Sequence, residues 1–239
     1  MFKEKIIDSG KVIYSDLIPE LEHFFTTRES SINSDKTKEL TANYLGIDLK
    51  DLVNPAQTHS SNVAVAEIGC NCYPETDGLI LTNKIQGVYL RFADCVPVIL
   101  YDKLHNIGAI SHAGWRGTVA RIVPNTIKEM CELTNSKDYK NIYVIIGPAI
   151  DKCCYNVGNE VVEGVKNSVN DCSDLFRENG DNIFVDLKST NAKQAEEMGV
   201  PISHIDICPY CTSCRNDMFF SYRKENGTSN RHNAVIKLK

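Results

Sequence analysis

Six histidines and ten cysteines are the residues of this chain best suited to chemistry. Two of the histidines and one of the cysteines stand where an apolar run meets a polar turn. His59 lies in Gln57-Thr58-His59-Ser60-Ser61, at the entry to a strand-like run, and Cys95 lies in Ala93-Asp94-Cys95-Val96-Pro97, between two such runs. His112 closes the run 107–111 and is followed by Ala113-Gly114-Trp115-Arg116-Gly117, a strand-to-helix turn. The two glycines let backbone approach a ligand closely, and a helix N-terminus there offers free N–H groups to an anion. Imidazole and thiolate are ligands that zinc prefers, and a catalytic zinc keeps three protein ligands with a fourth position open. His59, Cys95 and His112 meet that count, although no local spacing ties them together. Two hydrogen-bonded histidines and a buried thiol would account for the same residues without an ion. For His23, His105, His204 and His232 a solvated or hydrogen-bonded side chain is the expectation.

Locally the better metal motif is Cys208-Pro209-Tyr210-Cys211-Thr212-Ser213-Cys214, because C-x-x-C spacing lets two thiolates face one ion. A tetrahedral structural site needs a fourth ligand, for which Cys153, Cys154 and Cys172 are candidates that spacing does not pair. Reduced structural thiols are the plainer alternative, since free cysteine packs as a small hydrophobe. Cys95 beside His59 or His112 also admits a nucleophile reading, a cysteine hydrolase acting on amide bonds such as those of cell-wall precursors.

The elements that must position these side chains follow from the hydrophobic pattern. Short β-type runs occupy residues 23–27, 63–68, 78–82, 88–93, 96–101, 107–111 and 142–146, several of them too continuously apolar to face water. Val119, Ile122, Val123, Ile127, Met130 and Cys131 fall on one helical face, with Pro124 marking either a kink or the true first turn. Other helices are expected over 36–45, ending at Gly46, about 159–169, and about 189–198, ending at Gly199. Consecutive strands from 63 to 111 with little helix between them argue for an α+β fold with hairpins rather than a strict βαβ alternation. G-x-G-x-x-G and P-loop motifs are absent, as are internal repeats.

An apolar fraction of 42% and a charged fraction of 24% describe an ordinary globular protein. Its 239 residues suit a single domain spanning 1–239. A net charge of -5, with no run of basic residues, disfavours a nucleic-acid polymer as partner. The opening MFKEKIIDSG carries no apolar signal region, and the longest apolar stretches are too short to cross a bilayer, so no membrane association is expected. The cytoplasm is the expected location, where thiols stay reduced and metal binding or catalysis gains weight over disulfides.

Phe25-Thr26-Thr27-Arg28, Gln57-Thr58-His59, Thr76-Asp77-Gly78, Ala93-Asp94-Cys95-Val96-Pro97-Val98, Ser111 to Gly117, Gly147-Pro148-Ala149-Ile150, Cys154-Tyr155-Asn156-Val157-Gly158 and Phe219-Phe220-Ser221-Tyr222-Arg223 together carry a resemblance. In order, they are similar to segments of the YfiH family, also called the laccase-domain or polyphenol oxidoreductase family, which includes a factor implicated in peptidoglycan editing. The likeness covers nearly the whole chain. It implies a layered α/β sandwich with mixed sheets flanked by helices, and zinc at His59, Cys95 and His112. It further implies phosphorolysis of adenosine, inosine, guanosine and methylthioadenosine, with adenosine deamination as a second activity. Purine nucleosides and phosphate are then the expected partners. Two departures stand out: Glu29-Ser30-Ser31 replaces a Gly-Gly pair after Thr-Arg, and Asn230-Arg231 replaces Gly-Arg. Both are expected to reshape the rim of the pocket.

For deamination, zinc lowers the pKa of water to about 7, and Asp77 or Asp94 is the candidate proton donor, each otherwise a salt-bridging or turn-capping residue. For phosphorolysis, Arg28, Arg116 and Arg223 are the candidates to hold phosphate, each otherwise a structural ion pair. The laccase label implies copper, but a multicopper oxidase needs a blue site and a second, histidine-rich copper cluster. Six histidines with no H-x-H pair do not fill those sites, so copper ranks below zinc.

Overall fold

The computed structural model describes residues 1–239. Its first half is almost all strand: β1 (Phe2–Ile7), β2 (Gly10–Ser15), β3 (Leu21–Thr26), helix α1 (Asp35–Leu45), β4 (Leu52–Val53), β5 (Val63–Val65), β6 (Gly78–Leu81), β7 (Gly87–Phe92), β8 (Val96–Asp102) and β9 (Ile107–Ala113). Then come α2 (Trp115–Val119), α3 (Ile122–Leu133), β10 (Ile142–Ile146), β11 (Asn156–Val157), α4 (Asn159–Lys166), β12 (Phe176–Asn179), β13 (Asn182–Val185), α5 (Leu187–Glu197), β14 (Ile205–Ile207) and β15 (His232–Leu238).

Two six-stranded mixed sheets result, one ordered β1-β2-β3-β15-β7-β4 and the other β14-β10-β8-β9-β6-β5. A small antiparallel sheet, β11-β13-β12, lies beside them. The large sheets stack face to face: Phe25, Val88, Leu90, Ala234 and Ile236 of the first pack with Leu79, Leu81, Ile99, Ile110 and Ile145 of the second. The outer face of the second sheet buries Val96, Val98, Leu100 and Val144 against Ile122, Ile127 and Met130 of α3 and Leu187 and Ala195 of α5. Phe24, Leu52 and Val235 on the outer face of the first are covered by Ala42 and Leu45 of α1. Both faces of β8 and β9 are therefore buried, which is why their sequences read as unbroken apolar runs. The layered, mixed-sheet α+β architecture expected from the sequence is the one observed.

Local chemistry sets the element ends. Ser34 caps α1 in a reciprocal capping box with Thr37, and Gly46 closes it in the left-handed region at φ 65°. The helix expected across Val119 to Cys131 is two helices, because Arg121 adopts a left-handed backbone, φ 60°, between α2 and α3. Pro124 falls in the first turn of α3, where a missing N–H costs no hydrogen bond. The run 63–68 is a strand only to Val65, turning at Gly69, φ 83°. Strands β1, β2, β4, β11, β12, β13 and β15 were not expected. The last of these lies in the middle of its sheet, antiparallel to both β3 and β7. No helix is long and apolar enough to cross a membrane.

Candidate active site

Two loops and a strand end, at one end of the stacked sheets, bring the metal-type donors together. His59 comes from the segment before β5, Cys95 from the turn joining β7 to β8, and His112 from the end of β9, so the β8–β9 hairpin places Pro97 opposite His112. Their ligand atoms all lie within 4.8 Å of one another, and the two imidazole rings meet edge to face with centroids 4.8 Å apart. His112 is buried, Cys95 is half-buried and His59 is exposed, so the cluster has a protein side and an open side.

A single buried carboxylate organises it. Asp77, fully excluded from solvent, accepts hydrogen bonds from the backbone N–H groups of Thr58 (3.1 Å), His59 (3.0 Å) and Ser60 (2.7 Å) and from the Ser60 hydroxyl (2.7 Å). Three successive amides converging on one anion form a nest, and they hold His59 at φ 62°, a backbone conformation costly for a non-glycine residue. Asp77 Oδ1 also takes the Nδ1 proton of His112 at 2.7 Å, which leaves Nε2 of His112 free to face the other donors. Burial works to raise the Asp77 pKa, but His112 and Ser60 outweigh it and hold the carboxyl well below the usual range. Asp77 is thus an ionised positioning group behind His112. That environment does not suit the proton-donor role considered for it from sequence.

Burial likewise opposes charge on the Cys95 thiol, yet His112 and His59 bring its pKa down to about 6. His112 is raised to about 9 against its own burial by Cys95 and Asp77. Without a metal ion, the favoured state is a thiolate beside an imidazolium. Gly114 closes the floor, where a Cβ would come within 3.1 Å of Cys95 Sγ and 3.2 Å of a His59 ring carbon. Two nitrogens and one sulfur, oriented by a carboxylate and open on one side, fit a borderline divalent metal ion with room for a further ligand.

The open side is a cleft of about 830 Å³, within the range of small-molecule sites, lined in part by Gln57, His59, Cys95, His112, Tyr155 and Tyr222. Three arginines, Arg91, Arg223 and Arg231, line the same cleft. None of them pairs with a carboxylate; the arginine ion pairs of this protein are made by Arg28, Arg121 and Arg215. Arg223 donates to the Asn156 carbonyl at 2.9 Å and Arg231 to the Asn230 carbonyl at 2.8 Å. Asp94 also lines the cleft, at φ 84°, its carboxylate accepting from the Thr212 hydroxyl (2.6 Å) and the Arg223 amide (2.7 Å). Tyr155 stays a neutral hydroxyl, its pKa pushed up to about 12 by burial and the Cys95 charge.

Of the arginines chosen from sequence, only Arg223 lines the cleft. Arg28 is committed to Glu225 and to the carbonyls of Asn216 and Phe219, which fits a structural ion pair. Arg116 is exposed and stacks on the Trp115 ring at 4.3 Å, outside the cleft lining. The Glu29-Ser30-Ser31 loop does not touch the rim: Ser30 is buried, with its hydroxyl bonded to Lys11 O and the Thr27 amide. Among the other histidines, His23 and His105 are hydrogen-bonded and His204 stacks on Tyr143 at 3.9 Å. His232 departs from expectation, fully buried with the Pro148 backbone nearby but no well-formed hydrogen bond to either ring nitrogen.

Residues 20–239 match the family described as multi-copper polyphenol oxidoreductase laccase. The chain belongs to this laccase-domain family. Its relatives include a purine nucleoside phosphorylase of Staphylococcus epidermidis, 32% identical over 247 residues and covering 90% of each chain. An adenosine deaminase from an unknown prokaryotic organism is 37% identical over 191 residues, 75% of this chain and 72% of that protein. Among solved structures, YlmD of Geobacillus stearothermophilus superposes with a TM-score of 0.88 at 26% identity, covering 95% of this chain and 96% of that one. The YfiH protein of Bacillus licheniformis gives 0.87 over the same shares, also at 26% identity. The enzymatic names of these relatives point to an enzyme of this kind.

Proposed function

We propose that residues 1–239 act as one cytoplasmic catalytic domain, a zinc-dependent purine nucleoside phosphorylase with a slower adenosine deaminase activity. Its substrates are adenosine, inosine, guanosine and methylthioadenosine. The observation that carries this reading is the sharing of one cleft by the donor triad and three arginines that have no carboxylate partner. Uncompensated guanidinium groups facing a cavity bind phosphate oxygens by paired, charge-assisted hydrogen bonds. Arg91, Arg223 and Arg231 take that role, and Arg28 and Arg116 do not. Tyr155 and Tyr222 offer aromatic faces to the purine, and the neutral Tyr155 hydroxyl donates to a ring or ribose acceptor.

His59, Cys95 and His112 hold the zinc ion, with Asp77 fixing the His112 ring and, through the backbone nest, the His59 loop. Zinc bound there supplies Lewis acidity toward an oxygen or nitrogen of the substrate. Asp94 is the carboxyl left in the cleft to exchange a proton with the purine, braced by Thr212 and the Arg223 amide. The copper reading fits the donors less well, since only His59 and His112 among the histidines join a metal-type cluster.

A second reading has its own support. Cys95, His112 and Asp77 are in the order of a thiolate, an imidazolium and an orienting carboxylate, the arrangement of a cysteine hydrolase. Iodoacetamide separates the two: a hydrolase thiolate alkylates at once with loss of turnover, whereas a zinc-bound Cys95 is protected until a chelator is added. The decisive assay is chromatography of adenosine incubated with and without phosphate. Adenine and ribose 1-phosphate are expected with phosphate, and slow inosine formation without it. Unchanged rates in His59→Ala would remove the triad from the mechanism.

A further inference from the structure

Away from the donor triad, a second group of soft ligands converges. Cys153 and Cys154 lie in the loop between β10 and β11, and Cys211 and Cys214 lie in the segment between β14 and β15. All four sulfurs are within 4.8 Å of one another. Cys153 and Cys214 are 3.5 Å apart, Cys154 and Cys214 3.4 Å, and Cys153 and Cys154 3.6 Å. A disulfide would join two of them at about 2.0 Å, whereas four thiolates at about 2.3 Å from a tetrahedral zinc lie about 3.8 Å from each other. These three separations approach the second figure, and the Cys211 sulfur lies within 4.8 Å of the same three atoms. The Asp151 amide donates to Cys211 Sγ at 3.4 Å, the kind of N–H to sulfur contact that stabilises a coordinating thiolate. Arg177 lies close by, bonded to the Lys152 and Cys153 carbonyls at 3.3 Å, and offsets part of the negative charge of such a centre.

We propose that Cys153, Cys154, Cys211 and Cys214 form a structural tetrathiolate site for a zinc-type divalent ion, separate from the cleft. With four protein ligands there is no open position, so the ion's work is mechanical. It cross-links two segments some 60 residues apart whose other links include the parallel bridge Ala149 to Cys211, the Thr212 amide bonded to Ala149 O at 3.0 Å and Arg223 bonded to Asn156 O at 2.9 Å. The first segment leads into Tyr155, and the second carries Thr212, Tyr222 and Arg223. The centre therefore clamps together the parts of the chain that build one wall of the cleft and brace Asp94. Of the cysteines singled out with this motif, Cys208 does not join the cluster; it is buried, its thiol pushed up to about 12 chiefly by burial. Cys172 also stays outside it.

Wild-type protein purified with zinc and without added chelator is the material for the test. Native mass spectrometry or elemental analysis should find one zinc that survives in the His59→Ala/His112→Ala variant and is lost in Cys154→Ser/Cys214→Ser. If the cleft does not bind metal, wild type and the histidine variant will both hold that one ion, so the two ideas fail separately. Replacement by Co2+ should give the intense visible and thiolate charge-transfer bands of a four-sulfur tetrahedral centre. Where the serine variant does not fold, alkylation of the wild type replaces it: Cys153 and Cys214, though exposed, should resist modification until a chelator is added. Rapid alkylation of both in untreated protein, or a mass two units light from a disulfide among the four, would overturn the proposal.

Discussion

The donor triad and the thiol cluster use the same kinds of ligand atom toward opposite ends. In the triad, three donors come from two loops and the end of β9, and a buried carboxylate holds the His59 loop and the His112 ring through six hydrogen bonds. In the thiol cluster, four donors come from two loops and no carboxylate bonds to any sulfur, only the Asp151 amide. The first is half-exposed and opens on an arginine-lined cleft; the second has its coordination filled by the chain itself. Donor count separates a site that can take a substrate from one that can only fasten chain. The strain differs as well: His59 and Asp94 sit in left-handed backbone, and no residue of the four-cysteine cluster does.

That contrast breaks most easily at Cys95. Cys95→Ser should lower kcat/KM for phosphorolysis at least about a thousandfold, since a lost ligand removes several kcal/mol of transition-state stabilisation. Cys154→Ser should have a far smaller effect on the same constant, and equal losses in the two variants would erase the distinction. Asp77→Asn keeps the size of the side chain but not its charge. It should weaken zinc retention, measured by competition with a chromophoric chelator, by about 10- to 100-fold. Arg231→Ala should raise the KM for phosphate about tenfold, as expected for one charge-assisted hydrogen bond, and change phosphate-independent deamination little. Arg28→Ala should instead lower the unfolding midpoint without moving that KM.

A separate effect concerns acid stability beneath the triad. His232 packs between Phe92 and Phe219, and burial depresses its pKa to about 3. Above the unfolded value of about 6.5 both states are neutral and nothing is lost. As pH falls below it, the unfolded chain takes up a proton that the folded chain refuses, so stability drops by up to about 1.4 kcal/mol per pH unit until the folded pKa is reached. Urea titrations between pH 7.5 and 4.5 should show a shallower decline for His232→Met than for wild type. Parallel curves would mean that His232 is not the group responsible.

Much of this molecule was legible from residue order, and the gaps have physical causes. Strands β6 to β10 are apolar on both faces because they are covered on both sides, and unbroken apolar runs are easy to read. Strand β1, Phe-Lys-Glu-Lys-Ile-Ile, lies at a sheet edge with mostly exposed or half-exposed residues and carries no such signal. Strand β15 is central, but His232 and Asn233 at its start disguise it. The triad was nameable because each donor stands where an apolar run meets a polar turn, and Asp77 because Thr76-Asp77-Gly78 is a family segment. Its role as the hub of a nest was not, since that depends on three amides 17 to 19 residues upstream turning to face it. Arg91 did leave a trace, the one exposed position in an otherwise buried strand. Arg231 was noticed only as a departure from a glycine-arginine pair.

The placement of β15 has a consequence for synthesis on the ribosome. Its Asn233 amide bonds the Thr26 hydroxyl at 2.8 Å over a sequence separation of 207. At about 5–20 residues per second, β3 emerges roughly 10 to 40 s before the strand that must lie against it exists. Until β15 is made, β3 and then, once it is synthesised, β7 present unpaired inner edges that are open to pairing with other chains. A protein wired this way depends on something to shelter the half-made sheet, and its yield in cells should respond to chaperone supply more sharply than its equilibrium stability would suggest.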